Sequence, residues 1–171
     1  MPGTGAMTGA GNLVIAGCSR RKLDTAIPVP ALELYQGGCI PTLRARLGPR
    51  PRFRQRVRIL SARHGLVSAD RALLPYDEPL TLERAIALQP AVLAELTSQL
   101  GLAGSSTSTE GGSPIELLAL LEPLYLVPLA GLLALPGPSR PRIRWVPDPG
   151  GAGEAGGWPA AAAILDAWGW P

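Results

Sequence analysis

Four apolar residues in a row, Leu13-Val14-Ile15-Ala16, run into Gly17 and then into the polar stretch Cys18-Ser19-Arg20-Arg21-Lys22. A strand that is apolar at every position has no water-facing side. It has to be covered on both faces, which is the situation of a parallel strand between two layers of helix. Residues 56–62 behave similarly, starting in alternation (Arg56-Val57-Arg58) and ending in the run Ile59-Leu60-Ser61-Ala62. Residues 143–146 read as a further strand. Thr81 offers its hydroxyl as the cap of a helix over residues 82–100, with Glu83 in the electropositive first turn and Pro90 expected to kink or split it. Residues 41–47 and 159–168 read as shorter helices, and 31–35 as a single turn. Residues 114–121 and 129–135 also read as helices, with a strand at 124–127 between them. Strands alternating with helices predict an α/β fold: one domain over residues 12–171, with a mainly parallel sheet and helices on both faces. Residues 1–11 are expected to be disordered and the Gly/Ser/Thr-rich residues 103–113 to form a flexible loop.

Composition narrows the function classes. The chain has 171 residues, of which 46% are hydrophobic and 17% charged, so it has ample material for a core and does not resemble a disordered chain. Its two cysteines, Cys18 and Cys39, cannot make a disulfide framework. The first residues have neither a basic n-region nor an apolar h-region, so a cytoplasmic setting is the expectation. Residues 115–135 are apolar enough to suggest a membrane span, but Glu116, Glu122, Pro123 and Pro128 make one costly, at about 2.5–3.5 kcal/mol for each charge at mid-bilayer. No membrane association is expected. No C-x-x-C, H-x-x-x-H or H-E-x-x-H spacing is present, so neither a metal nor any other cofactor is expected.

Three segments carry the chemistry. The loop after the first strand brings Ser19 and three consecutive cations, Arg20, Arg21 and Lys22, to a strand's carboxyl end, where α/β proteins hold ligands. Charge-assisted hydrogen bonds from such a loop suit a phosphate, although a solvated basic turn would look the same. The second strand ends in Ser61-Ala62-Arg63-His64-Gly65, which contains the only histidine of the chain. His64 can move a proton near neutral pH or merely finish the strand, and Gly65 points to a turn that a side chain would obstruct. Pro75-Tyr76-Asp77-Glu78-Pro79 is a stiff loop presenting one phenol and two carboxylates. Asp77 can serve as general base or bind ribose hydroxyls there, or the loop can simply dock on the next helix. A fourth segment, the Gly-rich residues 150–157 with Glu154, reads better as a low-complexity loop than as a phosphate cradle. Half of the basic residues lie between Arg44 and Arg63. In an extended strand Arg50, Arg52, Arg54, Arg56 and Arg58 would share one face, able to track a nucleic-acid backbone or simply to sit in solvent.

Taken together, Cys18-Ser19-x-x-Lys22, Ala31-x-x-Leu34-Tyr35-x-Gly37, Leu60-Ser61-Ala62-Arg63-His64-Gly65-Leu66 and Pro75-Tyr76-Asp77-x-x-Leu80 resemble an uncharacterised bacterial domain that carries the same motifs. More distantly they are similar to YaaA-like peroxide-stress proteins. The resemblance covers about residues 12–90. It implies a nucleotide- or nucleic-acid-related role and a site drawn from Ser19, Lys22, Tyr35, His64, Tyr76 and Asp77. The expectation is an enzyme that hydrolyses or exchanges the N-glycosidic bond of a phosphorylated nucleoside. In it Ser19, Arg20 and Lys22 anchor phosphate, Asp77 or Glu154 supplies the carboxylate, and His64 serves the departing base. Cys18, Tyr35, Ser61, Gly65 and Tyr76 complete the substrate site. The alternatives are a non-enzymatic DNA- or RNA-binding protein using the Arg50–Arg58 face, and a tailoring enzyme of a biosynthetic cluster. The Leu- and Trp-rich C-terminal segments suggest a homodimer.

Overall fold

The computed structural model describes residues 11–101, 115–148 and 157–171. Residues 1–10, the loop at 103–113 and Glu154 with its Gly-rich neighbours fall outside them. The chain opens with β1 (Leu13–Gly17), a short β2 (Val29–Pro30) and three brief helices, α1 (Ala31–Leu34), α2 (Ile40–Leu47) and α3 (Pro51–Arg54). Then come β3 (Val57–Ser61), β4 (Gly65–Ser68), β5 (Ala72–Leu73) and the long helix α4 (Leu82–Gln99). The remainder is β6 (Glu116–Leu120), a 3₁₀ segment (Pro123–Ala134), β7 (Arg142–Val146) and α5 (Trp158–Ala167).

Five strands form one sheet in the order β4-β3-β1-β6-β7. β1 pairs in parallel with β3 and with β6, β6 in parallel with β7, and only β4 runs antiparallel, at an edge. The α/β, mainly parallel fold expected from the sequence is the one observed. Alternation along β1 divides the core in two. Val14 and Ala16 join Ile59, Leu118 and Leu120 beneath α1, α2 and α5. Leu13 and Ile15 join Leu60, Leu117 and Ala119 beneath α4 and the 3₁₀ segment. Complete burial on both faces explains why β1 is apolar throughout.

Several local expectations are corrected. The helix expected over 114–121 is not found among its described residues: Glu116–Leu120 is an inner strand, and pairing with β1 overrides the helical preference of Leu and Ala. The strand at 124–127 and helix at 129–135 are one 3₁₀ segment. Pro128, inside the segment, lacks the amide proton that an α-helical ladder would use there, whereas Pro123 stands at its first position, where none is needed. Pro90 lies within α4 without dividing it, and the Thr81 hydroxyl accepts the Arg84 amide at 3.1 Å as its cap. Among the described residues no helix is long and apolar enough to cross a membrane.

The Trp168 and Trp170 rings turn inward and stack together, Trp170 also against Phe53, so this part of the C-terminal segment offers no apolar surface for a second copy. Trp145 and Leu133 do remain exposed.

The end of β7 is latched to the α1–α2 loop by Asp148, whose carboxylate accepts the Cys39 amide at 3.0 Å. Gly38 has φ +62°, and a Cβ there would lie 2.5 Å from Asp148 Oδ2. Gly38→Ala is therefore expected to cost about 1–3 kcal/mol, read as a lower urea midpoint with an unchanged slope.

Candidate functional site

The sheet order creates one place where neighbouring connections part. β1 leads through α1–α3 on one face toward β3. The adjacent β6 leads through the 3₁₀ segment on the other face toward β7. Where connections diverge in this way, a crevice opens at the carboxyl ends of the two strands, and α/β proteins place ligands there. A shallow crevice with internal room for about one water is present there, with Cys18, Ser19, Glu122, Tyr125 and Asp148 in its walls.

Cys18 Sγ lies 3.1 Å from Tyr125 Oη. Burial raises the Tyr125 phenol, with Cys18 and Glu122 adding to the effect, so its proton is retained. Asp148 is committed to the Cys39 amide. Glu122 has no side-chain hydrogen bond or ion pair among the described residues, and it follows β6 directly into solvent. Among the same residues no group of three or more His, Cys, Asp or Glu side chains is placed to hold a metal ion.

Cys18 also acts electrostatically on Lys22, Tyr35 and Tyr76, which joins the crevice to a second group of side chains. Lys22 pairs with Tyr35 in an isolated antiparallel bridge, which carries its ammonium back over the sheet rim. Its Nζ lies 4.4 Å from the Tyr76 ring centroid and 5.7 Å from that of Tyr35. Tyr76 Oη is 2.6 Å from Tyr35 Oη and 2.5 Å from Ser61 Oγ. The His64 ring stands edge-on to Tyr76 at 5.2 Å, and its amide donates to Ser61 Oγ at 3.0 Å. The only lysine, the only histidine, all three tyrosines and one of two cysteines of the chain thus share one rim.

Local structure explains the placement of His64. Ala62-Arg63-His64 is a three-residue turn between β3 and β4, closed by Gly65 at φ +74°, a value that favours glycine. Arg84 clamps this turn from α4, donating to the Ala62 carbonyl at 3.0 Å and to the Arg63 carbonyl at 2.7 Å. Burial, then Arg71 and Arg63, lower the His64 pKa against the opposing pull of Glu78. The imidazole is neutral at pH 7 and offers a hydrogen bond rather than a positive charge. Burial likewise lowers Lys22, with Cys18 and Asp77 resisting.

Not every expected residue faces a ligand. Ser19 is buried and engaged within its own loop, donating to the Arg21 carbonyl at 2.7 Å and accepting the Gly37 amide at 3.0 Å. It shapes the turn that carries Lys22. Arg20 and Asp77 are exposed, and Asp77 lies within electrostatic reach of Lys22.

The shared arginine face does not form, because Pro51 starts a helical turn in which Arg52 and Arg54 point differently from a strand. Arg54 pairs with Glu33 and Asp70. Arg56 donates to the carbonyls of Gly11 and Asn12, and Arg58 is buried against Gln99. Only Arg50 and Arg52 of the five remain exposed.

Glu122 and Asp148 carry no motif, and Tyr125 has only the loose match of Leu124-Tyr125-Leu126 to the family resembled; for Glu122 the one signal is its place directly before Pro123 at the end of an apolar run. No family model matches the sequence, and no curated protein and no solved structure is significantly similar to it.

Proposed function

We propose that the protein is an enzyme that hydrolyses or exchanges the N-glycosidic bond of a small phosphorylated nucleoside. The observation that carries this reading is the charge arrangement at the β1/β6 divergence. The Glu122 carboxylate and Cys18 line the crevice, and the Lys22 ammonium, within electrostatic reach of Cys18, lies over the ring of Tyr76, whose hydroxyl meets those of Tyr35 and Ser61. A phosphorylated nucleoside needs both. Its phosphate requires a cation and donors, and the sugar that becomes oxocarbenium-like requires a carboxylate. In the hydrolysis, a water oxygen bonds to the sugar's anomeric carbon as the bond to the base nitrogen breaks. Glu122 takes the water proton, and the departing base accepts a hydrogen bond from the neutral His64 imidazole. Glu122 is placed here in the role for which Asp77 and Glu154 are the sequence's candidates; Asp77 is exposed like Glu122 and within electrostatic reach of Lys22, and Glu154 lies outside the described residues. The motif resemblance supports the nucleotide class.

The test is release of free base from a panel of nucleosides and their 5′-monophosphates, followed by chromatography. At least one monophosphate is expected to release base faster than its parent nucleoside. A His64→Ala variant should still bind it, with turnover reduced by about a hundredfold. Absence of free base across the panel, with and without a second base as acceptor, would overturn the reading.

A further inference from the structure

Between Arg84 and Glu95, and again between Glu122 and Arg140, the chain carries no charged residue. The first stretch lies in α4 and the second forms the 3₁₀ segment. Both cover the same face of the sheet and lie side by side. Gln89 Nε2 donates to the Val127 carbonyl at 2.9 Å, and Leu93 packs closely against Gly131. Their outer side is apolar. On α4 it consists of Leu82, Ile86, Ala87, Pro90, Ala91 and Ala94, and on the 3₁₀ segment of Ala130, Leu133 and Ala134, all exposed. Leu82 is 57%, Ile86 51% and Leu133 60% exposed. A surface helix ordinarily turns charge to water on this side. Here Glu83 stands only at the first turn, and the next charges are committed elsewhere. Arg84 donates to the Ala62 and Arg63 carbonyls, and Glu95 accepts from Gln99 at 3.1 Å. Such a face has no cations for a nucleic acid or an anionic membrane surface, and nothing to offset the desolvation of a charged partner. It fits another uncharged, apolar surface.

We infer that this face receives a second copy of the chain, α4 against α4 and antiparallel across a two-fold axis. The order of side chains along α4 is complementary to its own reverse. The large exposed residues, Leu82 and Ile86, come first, and the small ones, Ala91, Ala94 and Ser98, come later. With the axis passing between Ala87 and Pro90, Ile86 meets Ala91 of the second copy, and Leu82 falls between its Ala94 and Ser98. The pairing brings no like charges together, because the two Glu83 positions are then about 16 Å apart along the helices, beyond a Debye length of about 8 Å. Size also fits. α4 has 18 residues and is about 27 Å long, and with the 3₁₀ segment beside it the face is about 20 Å wide. Side-chain relief enlarges that flat footprint of about 500 Å² toward the roughly 800 Å² each partner gives to a standard interface. The Leu-rich part of the C-terminal region thus takes part in a homodimer, and its Trp-rich end, turned inward, does not. The pairing is independent of the reaction proposed above.

Sedimentation velocity of the full chain over about 1–300 μM tests this, with circular dichroism to confirm that each variant is folded. The wild-type chain is expected to sediment at twice the chain mass and to dissociate to monomer on dilution. Ala87→Glu and Ala87→Lys each set two like charges about 5 Å apart along the axis, at an exposed helical position that either residue suits. Each should weaken self-association by at least about a hundredfold. Mixing the two variants opposes Glu to Lys and should restore a dimer. Leu133→Ser, on the 3₁₀ segment, should weaken the dimer by about tenfold, whereas Ile27→Ser should leave it unchanged, although Ile27, in the loop before β2, is 68% exposed. A monomer at every concentration would overturn the inference, and so would an assembly that grows beyond two copies. Self-association of both Ala87 variants at the wild-type strength, or a mixture of them that stays monomeric, would overturn it equally.

Discussion

Glu122→Gln is expected to lower base release about a thousandfold while changing the affinity for the monophosphate by less than about threefold. The two effects separate because Glu122 makes no hydrogen bond or ion pair with Lys22 among the described residues; it lines the crevice after β6 with Cys18 and Tyr125. Glutamine preserves size and reach but carries no negative charge and takes no proton. An oxocarbenium-like sugar would lose its counter-charge and the water its base, both felt in the transition state and hardly in the bound ground state. Asp148, the other carboxylate in the crevice, is the natural contrast. Its oxygen holds the Cys39 amide and closes against Gly38, so its replacement should register first in stability. The measurement is steady-state release of free base at saturating and sub-saturating monophosphate. If Glu122→Gln turns over at the wild-type rate, the carboxylate assignment fails even though the crevice remains.

How legible the molecule was follows from which interactions are local. β1 and β3 announce themselves because strands covered on both faces stand out against a chain rich in turn residues, and β7, at the edge, by its alternating Arg-Ile-Arg-Trp-Val. Thr81 and Glu83 mark the start of α4 for an equally local reason, a side chain that satisfies the first turn. β6 was hidden because Leu-Leu-Ala-Leu fits a buried helix and a buried strand equally well, and only its pairing with β1 decides. The arginine stripe misled because a period of two means an extended strand only if the backbone is extended, and Pro51 makes it turn. In the site, Lys22, Ser61, His64 and Tyr76 were singled out by motif, but their meeting depends on β1 and β3 being parallel neighbours, so that both carboxyl ends reach one rim. Glu122 and Tyr125 join that rim from the start of the 3₁₀ segment after β6, where the sequence pattern predicts a strand at 124–127 following a helix at 114–121.

Two substitutions at alternate positions of β3, Leu60→Ala and Arg58→Met, are expected to move stability in opposite directions. Positions two apart point to the same face, here the one covered by α4. Leu60 is fully buried there in one cluster with Ile15, Leu88 and Ala119. Truncating it should cost about 3 kcal/mol and lower the melting temperature by about 6–12 °C. Arg58 is nearly as buried, at 7% exposure, yet its guanidinium reaches only the Gln55 and Val57 carbonyls and the Gln99 side chain. Its Nε has no acceptor among the described residues, and burial depresses its pKa despite the nearby Glu95. A buried cation whose hydrogen bonds are incomplete does not recover its desolvation cost, and an apolar side chain of similar length is often the more stable occupant. Methionine keeps the stem and drops the charge, so Arg58→Met should raise stability by about 1–2 kcal/mol. Gln99, half-buried at the last turn of α4, keeps its contact with Glu95 when the guanidinium is gone. Chemical denaturation of both variants and of the double mutant checks this. A destabilised Arg58→Met would mean that the guanidinium binds the end of α4 to β3 more strongly than its incomplete hydrogen bonding implies.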